Sequence, residues 1–262
     1  MLKIKKYKSG FLGCILFSPV LLMSDICLAD GILPSVNKSS SWRAVVSVGG
    51  GVASFPAVGK SATFPVMMPV GNEFFIYSAN RSNQNEGFFD VFLGTEKKLS
   101  SVIALQLGLS YSKTGSPVAS GILTEGANVF TANDYTYNYN VRARQLVAEG
   151  KILYMLNDTL FPYVTGGVGE SFNDAFDYQT TGPIFTPHYS DNNSQRSFSY
   201  NLGLGADLQI CNNFRLGVGY RFADFGRANL GSALIGSARI DGRLSQRHLF
   251  ANEVLAQVTW LS

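Results

Sequence analysis

The sequence has few charged residues and no long apolar segment beyond its N-terminal leader. Only 15% of its 262 residues are charged, against about a quarter in an ordinary soluble domain. After residue 29 there is no run of 18 apolar residues, so a membrane-spanning helix is not expected. A chain of this kind, if it is exported, is a periplasmic protein, a secreted protein or a β-barrel.

Neither sign of charge predominates in the expected mature chain. Four of the 21 basic residues and one of the 18 acidic residues fall in the first 29 positions, which leaves 17 of each sign. Nucleic-acid binding requires a basic stripe or patch. The sequence shows none, so nucleic acid is not an expected partner.

Residues 1–29 have the three parts of a secretory signal peptide. A basic segment from Lys3 to Lys8 precedes an apolar segment from Gly10 to Met23, which is too short for a comfortable membrane span. Small residues precede Asp30. We expect cleavage there, with residues 30–262 forming one domain.

The stretch from Ser197 to Ala223 alternates between apolar and polar or glycine residues. Every even position is apolar on both sides of the turn Cys211-Asn212-Asn213. Because side chains alternate between the two faces of a strand, this pattern predicts two strands joined as an antiparallel hairpin. One apolar face and one polar or small face per strand is typical of a membrane β-barrel.

Weaker alternation elsewhere gives eight expected strands in all. They are Ser41–Ser54, Gly87–Glu96, Val102–Tyr111, Tyr135–Leu156, Thr159–Phe172, Ser197–Ile210, Phe214–Ala223 and Arg247–Leu261. Long and short connections alternate between them, as the outer loops and periplasmic turns of bacterial barrels do. A soluble β-sandwich would show no such bias. Ten strands are the alternative, with the extra hairpin at Phe74–Tyr77 or Leu234–Ile240.

The export signal, strand count, loop asymmetry and aromatic final strand resemble the small outer-membrane β-barrels of Gram-negative bacteria, the OmpA-like and opacity-protein-like family. The resemblance covers about residues 41–262. It implies an all-β, transmembrane, antiparallel up-and-down barrel in the bacterial outer membrane. The implied partners are outer-membrane lipid and lipopolysaccharide, the barrel-assembly machinery, and host or extracellular ligands at the loops. The family's last strand usually ends in an aromatic residue, whereas here Leu261 and Ser262 follow Trp260.

Eight polar or charged residues fall on expected inward positions. They are Asp90, Gln106, Arg142, Arg144, Asp207, Arg215, Arg221 and Glu253. On the lipid face an arginine would cost about 2–4 kcal/mol at the midplane, whereas inside the barrel opposite charges can pair. An eight-stranded interior is just wide enough for side chains to fill. We therefore expect an ion-pair network that plugs the barrel, with a pore for small solutes as the alternative.

The fourth expected strand requires an irregularity. The pattern places Tyr139 and Ala143 outward in its first half, yet Glu149 and Lys151 share that register. We therefore expect either a bulge near Gln145 or a lower part of the strand that leaves the membrane. Aromatic residues are expected at the membrane–water interfaces. They are Trp42, Tyr111, Tyr139, Tyr200, Tyr220 and Trp260.

One short motif suggests chemistry. An outer-membrane lipid A deacylase family carries a His-x-Ser pair and a Glu, and the sequence has His188-Tyr189-Ser190 with Glu253 downstream. In such a pair the histidine activates the serine. No histidine has partners at metal-ligand spacing, so neither a metal nor another cofactor is expected. The expected role is non-enzymatic, in envelope structure or adhesin-like surface interaction; a small porin and a lipid A-modifying hydrolase are the alternatives.

Overall fold

The computed structural model describes residues 42–68, 71–125, 133–182, 188–235, 238–240 and 242–262. Strands β1 to β16 in these ranges are Arg43–Phe55, Ala62–Met68, Gly71–Ala79, Gln84–Lys98, Ile103–Thr114, Val118–Glu125, Asn133–Tyr154, Leu160–Thr181, His188–Ser190, Asn193–Cys211, Phe214–Asp224, Ala228–Asn229, Ala233–Ile235, Ala238–Ile240, Ser245–Gln246 and Phe250–Leu261, in that order. The described ranges contain no helix with the length and apolar character needed to cross a membrane. The expected signal peptide and its cleavage site lie outside the described residues.

Eight of the strands close a ring. Antiparallel neighbours follow the order β1, β4, β5, β7, β8, β10, β11 and β16, and β16 pairs with β1 to complete it. Closure pairs the backbone N–H and C=O groups of both edges of every ring strand, which a lipid environment requires. The eight ring strands correspond to the eight expected from the sequence, so the prediction of an all-β antiparallel barrel is confirmed.

The outer face of the ring carries an aliphatic belt. Ten of its aliphatic side chains are each more than half exposed: Val48, Val52, Leu93, Leu109, Val164, Val168, Leu202, Leu204, Val218 and Val254. A soluble monomer rarely leaves so large an apolar surface uncovered. The belt matches the hydrocarbon layer of a bilayer instead.

The long connections contain strands of their own. β7 extends beyond the end of β5, since Lys113 pairs with Arg144, and β6 pairs with the protruding residues 133–140. The hairpin β2–β3 adds to β6, which makes a sheet outside the ring that we call the outer sheet (β2, β3, β6 and residues 133–140 of β7). The connection between the third and fourth expected strands therefore contains a strand, β6, because the protruding edge of β7 offers backbone groups with which β6 can pair.

The two candidate segments for a ninth and tenth strand lie outside the ring. Phe74–Tyr77 belongs to β3 of the outer sheet, and Leu234–Ile240 spans the small hairpin β13–β14, which pairs with β9. β8 also continues to Thr181, beyond the expected end at Phe172. Ring strands that continue past the membrane thus provide the base on which the connections fold.

β7 keeps one parity throughout its length, which corrects the sequence reading of this strand. Its odd positions from Tyr135 to Leu153 point inward, so Arg142 and Arg144 are on the outer face and Tyr139 is buried. The strand pairs without interruption through Gln145, and its one register shift against β8 lies between Asn138 and Asn140. The register of β7 is constant, but the environment of its two faces changes along its length. In the part that protrudes beyond the membrane, the outward face contacts water and the inward face packs in a protein core.

Candidate functional site

The barrel interior contains charged side chains that pair across it. Arg215 of β11 contacts Glu96 of β4 through two bonds, Nη1 to Oε2 at 2.5 Å and Nη2 to Oε1 at 3.1 Å. Gln106 donates to the same carboxylate at 2.8 Å, and Gln209 accepts from Arg215 Nε at 2.7 Å. Both charged side chains are almost fully buried. The bidentate geometry and the extra amide contacts offset the cost of burying the charges.

A second arginine joins two carboxylates nearer the long connections. Arg221 Nη1 lies 2.8 Å from Asp90 Oδ1, and Arg221 Nε lies 2.5 Å from Glu253 Oε2. Ser110 donates to Asp90 at 3.0 Å. Arg221 and Glu253 are opposite each other on paired strands, whereas Asp90 belongs to a strand three places away in the ring. Arg221 therefore connects distant sides of the interior.

A lysine completes the interior network. Lys151 Nζ lies 2.6 Å from Asp207 Oδ2 and 3.7 Å from the centroid of the Tyr163 ring. Gln257 donates to the other oxygen of Asp207 at 3.0 Å. A cavity of about 20 Å³ remains between these pairs, lined in part by Glu149 and Arg221, which is room for about one water molecule. The polar half of the interior is thus filled by its own side chains.

Six of the eight residues expected inside lie in the interior and take part in these contacts. They are Asp90, Gln106, Asp207, Arg215, Arg221 and Glu253. Arg142 and Arg144 do not join them: Arg144 pairs with Asp174 at 2.8 Å on the outer face, and Arg142 lies over the ring of Phe176. Their inward assignment was wrong because it rested on the incorrect parity of β7.

Three interior charged residues were not among the expected set. Glu96 has the same parity as Asp90 on β4, so the alternation alone could have identified it. Glu149 and Lys151 share the parity of Tyr139 and Ala143, which was read as outward, and a bulge was expected to change their register; β7 places them inside without one. Correct parity places all three inside, where Glu149 accepts a hydrogen bond from Thr165 at 3.0 Å.

The interior near the long connections is aromatic instead of ionic. Tyr77 and Tyr137 meet edge to face with centroids 5.2 Å apart, and the hydroxyl groups of Tyr77 and Tyr178 lie 3.4 Å apart. Burial, with a smaller contribution from Tyr77, raises the pKa of Tyr137 to about 12. Burial is also the main cause of the raised pKa values of Tyr77 and Tyr178. These phenols remain neutral well above ordinary pH, so they pack as part of an apolar core.

The predicted interface aromatics occupy two kinds of position. Trp42, Tyr220 and Trp260 are exposed, and Tyr111 and Tyr200 are partly exposed; their position at the membrane–water boundary stays a prediction. Tyr139 is 2% exposed and belongs to the aromatic core, so its assignment to the interface was wrong. Its burial follows from the same parity correction that turns Arg144 outward.

The outer sheet presents an apolar surface patch. Phe74 and Ile76 of β3 and Ile122 of β6 are 45%, 43% and 49% exposed. Ile76 pairs with Thr124 and Ile122 pairs with Ser78, so the two isoleucines are diagonal neighbours on one face. The opposite face of β3 carries Tyr77, which is buried in the core. We call Phe74, Ile76 and Ile122 the outer patch.

The His-x-Ser motif lies in β9, which pairs with β13 away from the ring. Ser190 is buried, and the side chain of His188 lies outside the described residues. Glu253, the expected third member, contacts Arg221 inside the barrel. Within the described ranges no group of three or more His, Cys, Asp or Glu side chains could hold a metal ion.

Comparison with known families agrees with the ring and its aliphatic belt. The outer membrane protein beta-barrel domain matches residues 39–242. The chain belongs to this family of outer-membrane β-barrels. The barrel protein is therefore located in the bacterial outer membrane, and the resemblance to small Gram-negative barrels drawn from the sequence is confirmed. No curated protein has a significant match to its sequence.

The barrel protein is also similar to several solved structures. Neisserial surface protein A (NspA) has 10% identity and a TM-score of 0.43, covering 85% of this chain and 99% of that one. The outer membrane protein OprG from Pseudomonas aeruginosa has 9% identity and a TM-score of 0.46, with 83% and 95% covered. The outer membrane protease OmpT from Escherichia coli has 8% identity and a TM-score of 0.47, with 87% and 100% covered.

Proposed function

We propose that the protein is a closed, non-enzymatic barrel that engages ligands at the cell surface through its outer sheet. The observation that carries this proposal is the outer patch, formed by Phe74, Ile76 and Ile122, on a sheet that protrudes from the ring. A rigid sheet holding one aromatic and two branched side chains presents a hydrophobic anchor with little conformational freedom to lose on binding.

The position of the outer patch along β7 argues that water, not lipid, covers it. The outward side chains of β7 are apolar at Leu146 and Ile152, and they become polar from Arg144 towards Asp134. This change marks the end of the hydrocarbon layer on the outer face. Ile122 is the register partner of Thr136, well beyond Arg144. An exposed apolar patch in water is the usual mark of an interaction surface.

The surroundings of the patch suit recognition of a protein or glycan surface. Thr63 pairs with Ile76 from β2, and Ser78 and Thr124 lie beside the isoleucines on β3 and β6. Their hydroxyl groups form a polar border around the apolar centre. An apolar centre with a polar rim is the general arrangement of a reversible binding surface.

The packing of the interior favours a closed barrel and argues against a pore. Arg215 and Arg221 each reach a carboxylate on β4, three places away in the eight-membered ring. Beyond them, on the side of the long connections, the interior is filled by aromatic and aliphatic side chains such as Phe88 and Tyr137. An eight-stranded barrel has no room to spare once its side chains fill it. We therefore expect no conductance from the protein in planar bilayers.

The test uses bacteria that display the full-length protein. Adhesion to immobilised laminin, fibronectin and collagen is compared for wild type and for the variant Phe74→Asn/Ile76→Thr/Ile122→Thr. We expect the variant to lose most of the adhesion that the wild type adds to the host strain. The matched control is Ser82→Asn/Asn83→Ser/Asn85→Ser, which changes three exposed polar residues outside the outer sheet and should adhere as the wild type does.

Three results would contradict this proposal. Adhesion of the patch variant at the wild-type level would exclude the outer patch, and steady single-channel conductance of the purified wild type would favour the porin. A change in the acylation pattern of lipid A that disappears in Ser190→Ala would instead favour the hydrolase. We expect the lipid A of cells expressing wild type and Ser190→Ala to be identical.

A further inference from the structure

A basic pocket lies on the outside of the ring where β10, β11 and β16 meet the long connections. Its volume is about 380 Å³, and its lining includes Arg196, Arg227, Arg247 and His248. This volume is in the range of small-ligand sites. The pocket is separate from the outer patch, which belongs to β3 and β6.

The backbone around the pocket is held in place by hydrogen bonds. The N–H of Arg227 donates to Ser197 Oγ at 3.0 Å, and Asn173 donates to the carbonyl of Arg227 at 2.8 Å. Gly226 has a φ of 68°, and a Cβ there would lie 2.7 Å from Ser197 Cβ and the Phe198 carbonyl. Only glycine fits this close turn, which brings Arg227 next to β10.

The three arginines have no acidic partner near them. Arg196, Arg227 and Arg247 are exposed, and within the described part of the chain no carboxylate lies within 4.0 Å of their guanidinium groups. His248 contacts Asp224 at 3.0 Å, so the one carboxylate in the lining is already engaged. Guanidinium groups bind phosphate oxygens in bidentate fashion. The pocket therefore has the charge and the side-chain types of a phosphate site.

An aromatic strip continues from the pocket onto the lipid face. Successive ring centroids are 5.8 to 6.4 Å apart across three adjacent ring strands, in the order His248, Phe250, Phe222, Tyr200 and Phe198. Phe198 is 70% exposed on the outer face. Below it the same strand continues with Leu202 and Leu204, part of the aliphatic belt. Aromatic side chains of this kind sit at the headgroup level of a membrane.

We propose that this pocket binds the phosphorylated headgroup of a lipid in the outer leaflet, with its acyl chains extending past the aromatic strip onto the aliphatic belt. The combination favours a lipid over a free anion, because the arginines meet the phosphate while the aromatic and aliphatic surface below meets the chains. The bound lipid would fix the depth and rotation of the barrel in the membrane.

The test uses native mass spectrometry to measure the binding of bisphosphorylated lipid A. The protein is the folded, full-length mature chain in a neutral detergent. Wild type is compared with Arg196→Gln/Arg227→Gln/Arg247→Gln. We expect at least about a tenfold loss of affinity, since each cation near an anionic membrane surface contributes measurably to binding. The matched control is Lys60→Gln/Arg81→Gln/Lys98→Gln, which removes three exposed cations elsewhere and should bind as wild type does.

Two further ligands separate the possible sources of the phosphate. We expect dephosphorylated lipid A to bind the wild type weakly, with an affinity no higher than that of intact lipid A for the triple arginine variant. Inorganic phosphate at the same concentration as lipid A should not compete with lipid A for the wild type. Heat-modifiable gel migration establishes that each variant is folded; a variant that fails to fold is replaced by the single change Arg196→Gln, for which a smaller loss is expected. Unchanged affinity in the folded variant, or full competition by inorganic phosphate, would overturn the proposal.

Discussion

Arg215 of β11 and Glu96 of β4 form a two-pronged ion pair across the barrel interior, with Nη1–Oε2 and Nη2–Oε1 distances of 2.5 and 3.1 Å. Two other strands, β16 and β1, separate β11 from β4 in the ring. The pair therefore crosses the interior instead of linking neighbouring strands. Arg221 and Asp90 repeat this crossing on the same two strands, so the interior is bridged at two levels.

The first prediction concerns the stability of this pair. Arg215→Met leaves the Glu96 carboxylate buried without its cation, and removal of one partner of a buried pair costs about 3–5 kcal/mol. We expect that loss in the free energy of unfolding, measured by urea denaturation of the protein in lipid vesicles. Arg215→Met/Glu96→Leu removes both charges and should recover most of the loss.

The control for these substitutions is the ion pair between Arg144 and Asp174 on the outer face. Arg144→Gln breaks the contact with Asp174, but the Arg144 side chain is 38% exposed, and such pairs contribute only about 0–1 kcal/mol. Strictly additive effects of the Arg215 and Glu96 changes would show that the two side chains do not stabilise each other.

The second prediction concerns what covers the outer face. Val218 is 64% exposed within the aliphatic belt, and Val218→Arg should lower the free energy of unfolding from vesicles by about 2–4 kcal/mol if it lies near the midplane. Asn138→Arg, on the outward face of the protruding part of β7, should change it by about 0.5 kcal/mol or less. Equal effects at the two positions would contradict a hydrocarbon boundary between them.

The third prediction concerns alkaline pH. Because the pKa of Tyr137 is raised to about 12 in the folded protein from its usual 10, the unfolded chain releases this phenolic proton first as pH rises. The stabilisation is therefore fully present below pH 10 and is lost between pH 10 and 12. We expect urea unfolding to show this fall for wild type and a shallower one for Tyr137→Phe. Identical pH profiles for the two proteins would contradict burial of the phenol.

The strand pattern was most informative where one side of a strand faces lipid. In β10 and β11 the two environments differ in polarity along nearly the whole length, so the alternation predicted both strands. Asp207, Arg215 and Arg221 are buried at positions that were expected to face inward. In β7 the same rule failed, because the strand passes from lipid into water and the polarity of its two faces reverses near Gln145. A reversal of environment and a shift of register produce the same sequence pattern.

Local sequence alone specified the eight ring strands, their antiparallel order and the outer-membrane location. Side-chain alternation and loop length can be read from neighbouring residues. The alternation is strict in the membrane because polar side chains on the lipid face are costly. Closure of the ring decided the rest. It alone brings Glu96 to Arg215 across 119 residues of chain, gathers three arginines from separate segments above one aromatic strip, and turns the connections after β1 and β5 into an outer sheet. Such contacts depend on distances between distant segments, which no periodicity along the chain encodes.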